Sequence, residues 1–463
     1  MTFLYYFLPA VLALYFITPT PKGSPGFRNL VLLTVSLVFY AWGEPVYVLL
    51  MAAQCVSAWA FGLLTDRLRG RPAARVTTAA SVVVSLSGLI FFKYTDFFIK
   101  NVNGIFGSEI GLFGYALPLG ISFYTFQIIS YTVDLYRGTV GVRRSLPDFS
   151  AYVTLFPQLI AGPIVRYSDV ARELSRREHS IEAFSLGVRR FVTGLGKKVL
   201  IANVMGELVA ACKQSGEYSL LFAWLYVISY GLQIYYDFSG YSDMAIGLGQ
   251  MFGFKFPENF NYPYTAKSIS DFWRQWHMSL SGWFRDYVYV PLGGSRKGGA
   301  RYIFNVVLVW GLTGFWHGAD WNYILWGLYF AAILLAEKFF ISRLLEKSPG
   351  FICHAYVLLL MAVSWVLFDG TGFSQIGAAS ARLFGFGISG PAGVSSLYYL
   401  RSYLVPLVLA AVGCTPLPKN LALRLLRKRP FAALEAVGVG VLLIVITAYL
   451  ADGSFNPFIY FRF

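Results

Sequence analysis

The chain is short of charge. Only 13% of its 463 residues are Asp, Glu, Lys or Arg, against 57% apolar residues and a mean hydropathy of +0.58. A water-soluble fold of this size covers its surface with about twice that charged fraction. A set of soluble domains is therefore excluded, and much of the surface must face lipid. Cysteine is scarce as well. Cys55, Cys212, Cys353 and Cys414 stand far apart with no Cys-x-x-Cys spacing, so neither a metal site nor a disulfide framework is expected. Such thiols suit buried positions in membrane helices better than lipidation sites. The N-terminal stretch Met1 to Ile17 lacks a basic leader and a small-residue cleavage site, so it reads as a retained first membrane helix and not a signal peptide.

What the chain has is apolar sequence in long runs. Charge-poor windows cover 3–17, 30–42, 46–64, 76–92, 117–133, 184–205, 220–236, 302–316, 323–336, 355–368, 403–412 and 432–451. A bilayer core asks for about 20 apolar residues per helix, and shorter pieces are tolerated where they line a protein interior. The expected fold is an all-α polytopic membrane protein with about ten or more crossing or embedded segments.

The formal charge is +15, and its basic residues fall in short clusters between apolar stretches, as in cytoplasmic loops, not on a nucleic-acid-binding face. Lys22 and Arg28 mark a first inner loop, Arg67, Arg69, Arg71 and Arg75 a second, Arg137, Arg143 and Arg144 a third. Arg424, Arg427, Lys428 and Arg429 precede the final span. This pattern predicts both termini outside the cytoplasm.

One stretch differs in kind. From Asn259 to Arg301 the chain mixes Trp273, Trp276 and Trp283 with Arg274, Arg285, Asp271 and Asp286 and ends in Pro291–Leu292–Gly293–Gly294. It is too polar to span, and the spacing between Ser268 and Tyr289 predicts an amphipathic or partly buried helix at the interface.

Of four histidines, His179 sits in a charged loop and His354 opens an apolar span, where interfacial packing explains it. His277 and His317 each follow a tryptophan. A lone histidine is more often structural, but ionisable groups at membrane depth are costly and tend to be functional. At about 1.5 Å per helical residue, His317 would lie roughly 20–24 Å above the basic loop ending at Arg301, towards the outer leaflet. Gly314 and Gly318 beside it would admit a substrate or another backbone.

These residues carry a resemblance. Phe272–Trp273–Arg274–Gln275–Trp276–His277 and Trp316–His317–Gly318 resemble the two histidine motifs of the membrane-bound O-acyltransferase (MBOAT) superfamily. Leu159–Ile160–Ala161–Gly162–Pro163–Ile164, the run from Tyr236 to Gly247, and the tail Ser454 to Phe463 resemble further stretches of its bacterial branch for alginate and peptidoglycan O-acetylation, with teichoic-acid D-alanylation as a cousin. The matching stretches run from about Phe156 to the C-terminus. Earlier residues are similar only in hydropathy.

The resemblance implies a ring of transmembrane and re-entrant helices around a thin centre, with a tunnel from a cytoplasmic acyl donor to the outer face. It implies one membrane-embedded domain over residues 1–463, ending in an extracytoplasmic acyl-transfer tail at 452–463. His317 would be the catalytic histidine, His277 its tunnel partner and Tyr460 the acyl carrier. The donor would be acetyl-CoA, with no bound cofactor, and the partner an extracytoplasmic acetyltransferase of SGNH esterase fold at the inner membrane.

The residue types suit that chemistry. Moving an acyl group from a thioester to a hydroxyl needs a base, a site for the developing oxyanion, and exclusion of water. Histidine serves as base, with an ordinary pKa of about 6.5. Trp273, Trp276 and Trp316 would line the tunnel; an interfacial aromatic belt is the alternative, and lining is preferred for Trp316, adjacent to His317. Arg274, Arg285, Arg296, Lys297 and Arg301 are candidates for the donor phosphates, or express plain positive-inside bias. Asp237 and Asp243, in apolar sequence, must be paired or hydrogen-bonded, and helix capping around a membrane break is preferred for them over a proton relay. A transporter fits the span count, but no internal repeat joins the halves. Neither it nor a lipid-binding scaffold accounts for two Trp-flanked histidines and the tail. Alginate, peptidoglycan, cellulose and other exopolysaccharides stay open as acceptors, and a D-alanyl-type transfer stays open beside acetyl.

Overall fold

Each apolar window of the sequence falls on a helix. The computed structural model describes the chain except for residues 21–24, 161, 297, 427–428, 454–457 and 459–463, and side chains are not described at 426 and 429–433. Lys22, Lys297, Arg427, Lys428, Ser454, Tyr460 and Arg462 therefore lie outside the described residues. The chain divides into two compact units, Met1–Phe191 with Met244–Pro257, and Val192–Asp243 with Glu258–Phe463.

The first unit holds a π-helical turn, Phe3–Phe7, followed by α1 (Leu8–Ile17), α2 (Gly26–Gly43), α3 (Tyr47–Arg67), α4 (Pro72–Phe106), α5 (Ile121–Arg137), α6 (Leu146–Thr154) and α7 (Tyr167–Ser175). Helix α8 (Ile181–Gly196) starts there. Helix α5 is buried along nearly its whole length, packed by α3, α4, α6 and α7. Its ends are set by Gly120 and Gly138, both in the left-handed region, where a side chain would be strained. A Cβ on Gly120 would also lie 2.5 Å from the Leu159 carbonyl oxygen. The described residues of the motif from Leu159 to Ile164 are close-packed: Leu159 and Ile164 are buried, and Gly162 sits against the Gln158 backbone.

The second unit continues with a π-helical stretch, Lys197–Ala202, then α9 (Asn203–Gln214) and α10 (Leu220–Met251), whose last turns belong to the first unit. After Glu258 come α11 (Ile269–Gln275), α12 (Met278–Phe284), α13 (Gly299–His317), α14 (Trp321–Ala336), α15 (Ser342–Lys347), α16 (Gly350–Asp369), α17 (Phe373–Leu383), α18 (Val394–Gly413), α19 (Leu417–Leu426) and α20 (Arg429–Asp452). Its core is aromatic. Tyr235, Phe272, Trp273, Trp276, Trp326, Phe330 and Trp365 are all buried in one cluster.

Seven stretches among the described residues are long and apolar enough to cross a bilayer: α2, α3, α4, α14 with its continuation to Lys347, α16, α18 and Leu434–Asp452. Helices α18 and α20 leave Leu404, Val408, Val441 and Ile444 exposed, surface that suits lipid and not water. No strand occurs among the described residues. The chain is an all-α, multi-pass membrane protein.

Helices α13 and α14 pack as a tight hairpin because glycine faces backbone at their crossing. A Cβ on Gly314 would overlap the Tyr323 carbonyl, and one on Gly327 would overlap that of Trp310. Small residues of this kind let membrane helices approach closely. Of the two occupants foreseen beside Gly314, a substrate or another backbone, the structure holds the backbone. Gly314→Val should therefore open the hairpin that carries His317, destabilising the protein by about 1–3 kcal/mol. Thermal unfolding of the detergent-purified variant, followed by light scattering, measures it; a wild-type midpoint would contradict the close crossing.

Candidate active site

The expected helix from Ser268 to Tyr289 is not continuous. It breaks between α11 and α12, at His277 itself, where φ is +45°. Only Tyr262 shares such a conformation among the described non-glycine residues. A residue held there carries backbone strain that its surroundings must over-determine. Here one residue, Asn259, supplies the hydrogen bonds around the turn. The Asn259 carbonyl accepts from Met278 N–H (3.0 Å), and its side-chain Oδ1 accepts from Ser279 N–H (3.2 Å) and the Ser279 hydroxyl (2.9 Å). His277 Nδ1 lies 3.2 Å from the same Oδ1. Periodicity misses this break because it assumes helical φ throughout.

The clamp also fixes the imidazole's proton. A backbone N–H can only donate, so the Asn259 atom facing Ser279 is the oxygen. Nδ1 of His277 must then donate to it, which leaves the lone pair of the neutral ring on Nε2. His277 is fully buried, and burial, reinforced by the neighbouring His317, holds its pKa well below the ordinary imidazole value. Neither α11 nor α12 is long enough to span the membrane, so this reading concerns an interior site. His277 is a neutral base-capable ring.

His317 ends α13 and is buried. Trp316 touches both histidines: its ring centroid lies 6.0 Å from that of His277 and 5.0 Å from that of His317. Trp326 at 5.1 Å and Phe368 at 5.4 Å close the other sides of His317, and Asn322 donates to the Phe368 carbonyl at 3.1 Å. Asp320 caps α14 by accepting from the Trp321 N–H. The two motif histidines, 40 positions apart in sequence, share one water-poor aromatic site. A charged intermediate formed there would meet little dielectric screening.

One segment of α10 serves this site. Phe238 stacks edge-on against His277 at 4.6 Å, and the Ser242 hydroxyl accepts from Asn259 Nδ2 at 3.1 Å. Gly240 lies where the chain around Gly194 crosses, and its Cβ would be 2.8 Å from the Gly194 carbonyl oxygen. Three residues to either side, Asp237 pairs with Lys198 at 2.5 Å and Asp243 with Lys197 at 2.6 Å. The carboxylates are paired, as burial requires. They are not helix caps, however, because α10 runs unbroken through both. Their lysine partners lie some 40 residues away in sequence, so a local reading offered only a cap.

The remaining expected residues are distributed as follows. Trp273 packs on Trp310 (4.8 Å) and Phe330 (4.8 Å), and Trp276 on Phe260 (5.0 Å) and Trp365 (5.4 Å). Both are interior residues of the second unit, not members of an exposed belt. Arg274, Arg285, Arg296 and Arg301 are exposed; Arg274 pairs with Asp271 and Arg285 with Asp286, while Arg301 donates to the Leu292 carbonyl. His179 is exposed but lies 3.3 Å from the Tyr15 hydroxyl, and His354 Nδ1 meets the Ala266 carbonyl at 3.0 Å. No group of three or more His, Cys, Asp or Glu among the described residues could hold a metal. Asn259, Ser242, Phe238, Trp326 and Phe368 were not anticipated. Asn259 opens the aromatic–basic stretch, but an amide looks like any other until its partners are known.

The tautomer can be measured. In protein labelled with ¹⁵N-histidine, solid-state NMR should show His277 with a protonated Nδ1 and a non-protonated Nε2 at neutral pH; the reverse pattern would dismantle the clamp. Asn259→Ala should remove the acceptor for three donors, cost about 1–3 kcal/mol of stability, and scramble that tautomer.

The surroundings of the two histidines coincide with a known family. A family model described as MBOAT, the membrane-bound O-acyltransferase family, matches residues 139–380. The chain is 41% identical over 391 residues to the probable alginate O-acetylase of Azotobacter vinelandii, covering 83% of this chain and 77% of that protein. It is 34% identical over 398 residues to the peptidoglycan O-acetyltransferase of Helicobacter pylori (79% and 75% covered), and 30% identical over 236 residues to the teichoic acid D-alanyltransferase of Bacillus subtilis (48% and 59%). The first of these alignments is too long to leave out residues 1–150, so the similarity extends beyond the hydropathy expected of them. On the family model and these relatives, the chain belongs to the membrane-bound O-acyltransferase family and is an acyltransferase enzyme.

Proposed function

We propose that the enzyme takes an acetyl group from acetyl-CoA on the cytoplasmic side of the inner membrane and delivers it outside for O-acetylation of an exported or cell-envelope polysaccharide. The observation that carries this is the pairing of His277 and His317 around Trp316 in a buried, aromatic site. The relatives named for alginate O-acetylation are about as long as this chain and similar over most of it, which makes an alginate-like polymer the first acceptor to try.

In this reading His317 takes the proton of the attacking hydroxyl, and His277, beside it across Trp316, orients the substrate. The oxygen adds to the thioester carbonyl, the C–S bond then breaks, and the imidazolium returns its proton to the leaving thiolate. The hydroxyl is that of Tyr460. A phenol, with a pKa of about 10, gives its proton to a histidine far more readily than a sugar does. The phenyl ester keeps much of the thioester's transfer potential and hands acetyl to an extracytoplasmic SGNH esterase-fold partner. Arg274, Arg285, Arg296, Lys297 and Arg301 supply cations for the donor phosphates, and Trp273, Trp276 and Trp316 keep the path short and dry.

His317→Ala should lower acetyl transfer by about 10²–10⁴-fold in a protein that still purifies intact. His277→Ala should be strongly but less completely impaired; the opposite order would exchange their roles. Tyr460→Phe should abolish polymer acetylation and the His317-dependent acetyl label on the tail, detected by mass spectrometry. Full polymer acetylation by that variant would return the tail to a membrane anchor. Cysteine labelling in whole cells should find positions 71 and 428 inside and 454 outside, and labelling of 454 from the inside would remove the relay.

A further inference from the structure

The tail has one described side chain, Phe458, and it is seated. Its ring centroid lies 4.7 Å from Lys198 Nζ and 4.8 Å from the Tyr241 ring, which meets it edge-on at 88°. The cation beneath it is not an ordinary surface lysine. Lys198 is 8% exposed, and its ammonium pairs with Asp237, itself 2% exposed. A buried pair of this kind is costly to desolvate and is weak evidence for stability, so its retention asks for another reason. It also sits on a π-helical stretch, Lys197–Ala202, a distortion frequent at functional sites.

We propose that the Lys198–Asp237 pair, with Tyr241, is a docking seat for the C-terminal tail that presents its tyrosine to the histidines. The ring of Phe458 presents its negative quadrupole face to that ammonium, an interaction worth more when desolvated than at a surface. Asp237 and Tyr241 stand one helical turn apart on α10, and Phe238, next to Asp237, packs on His277. The seat and the histidine wall are therefore neighbouring stripes of one turn of helix. Lys198 and Phe458 are positioning residues; neither touches the reacting atoms. The proposal rests on the carrier role of Tyr460 for its consequence, but the docking itself does not.

The test uses full-length protein in membranes. Phe458→p-benzoylphenylalanine should photo-cross-link to the segments holding Lys198 or Tyr241, and the yield should fall at least about fivefold in Lys198→Met. Because that change orphans Asp237, the double variant Lys198→Met/Asp237→Leu, which removes both charges together, gives the same readout in an intact core. Polymer acetylation should fall about tenfold in Phe458→Leu and be kept in Phe458→Trp, since the ring face matters and not its bulk. Cross-links that map elsewhere, or that persist undiminished in the double variant, would overturn the seat, as would full activity of Phe458→Leu in a protein that Tyr460→Phe inactivates. If Tyr460→Phe stays active while the Lys198-dependent cross-link holds, the carrier reading fails and the seat stands.

Discussion

Which nitrogen of a buried imidazole carries the proton depends on whatever holds the ring in place. In this enzyme that is the Asn259 side chain, 3.2 Å from His277 Nδ1. Without a fixed acceptor on Nδ1, the ring would have two tautomers of similar energy, and Nε2 would carry a proton part of the time. The same oxygen takes both donors of Ser279. One carboxamide thus selects the tautomer, stabilises the left-handed turn at His277 and starts α12. The strain at His277 and its chemistry have a common support.

Close backbone approach supplies the other half of the site. His317 is delivered by a hairpin whose crossing is glycine against carbonyl, and α10 is crossed at Gly240 in the same way. In a bilayer no hydrophobic gain drives helices together, since lipid tails are as apolar as the side chains. Tight packing and satisfied polar groups must do so. Of the ion pairs either side of Gly240, Lys198–Asp237 is the buried one, and removing one partner of a buried pair costs about 3–5 kcal/mol, so that pair locks the crossing once it has formed.

Much of the fold was legible because membrane helices announce themselves through composition alone. The windows at 46–64 and 355–368 fall within α3 and α16, and no long-range information was needed to find them. The two histidines were legible for a related reason, as ionisable residues where such residues are expensive. The gaps have a single cause as well. The break at His277 depends on Asn259, 18 residues earlier; the aspartates of α10 depend on lysines about 40 residues earlier; Trp326 and Phe368 close around His317 from two other helices. In each case the residue type was visible and its partner was not. Local pattern reports the environment a residue needs, and only the fold reports what meets the need.

The segment Asp237 to Asp243 shows how these demands are combined. Successive helical positions turn by about 100°, so Phe238 and Ser242 share one stripe while Asp237 and Tyr241 share the next. The first stripe faces His277 and its asparagine; the second faces Lys198 and the tail. Gly240 leaves the remaining side open for a crossing backbone, and Asp243 reaches Lys197 from one turn on. Because a helix is rigid over two turns, these contacts cannot be adjusted one at a time. A rotation that carried Phe238 off the imidazole would carry Asp237 away from its lysine, and the buried charge makes that rotation prohibitive. The Lys198–Asp237 pair thereby fixes the aromatic wall that packs on His277.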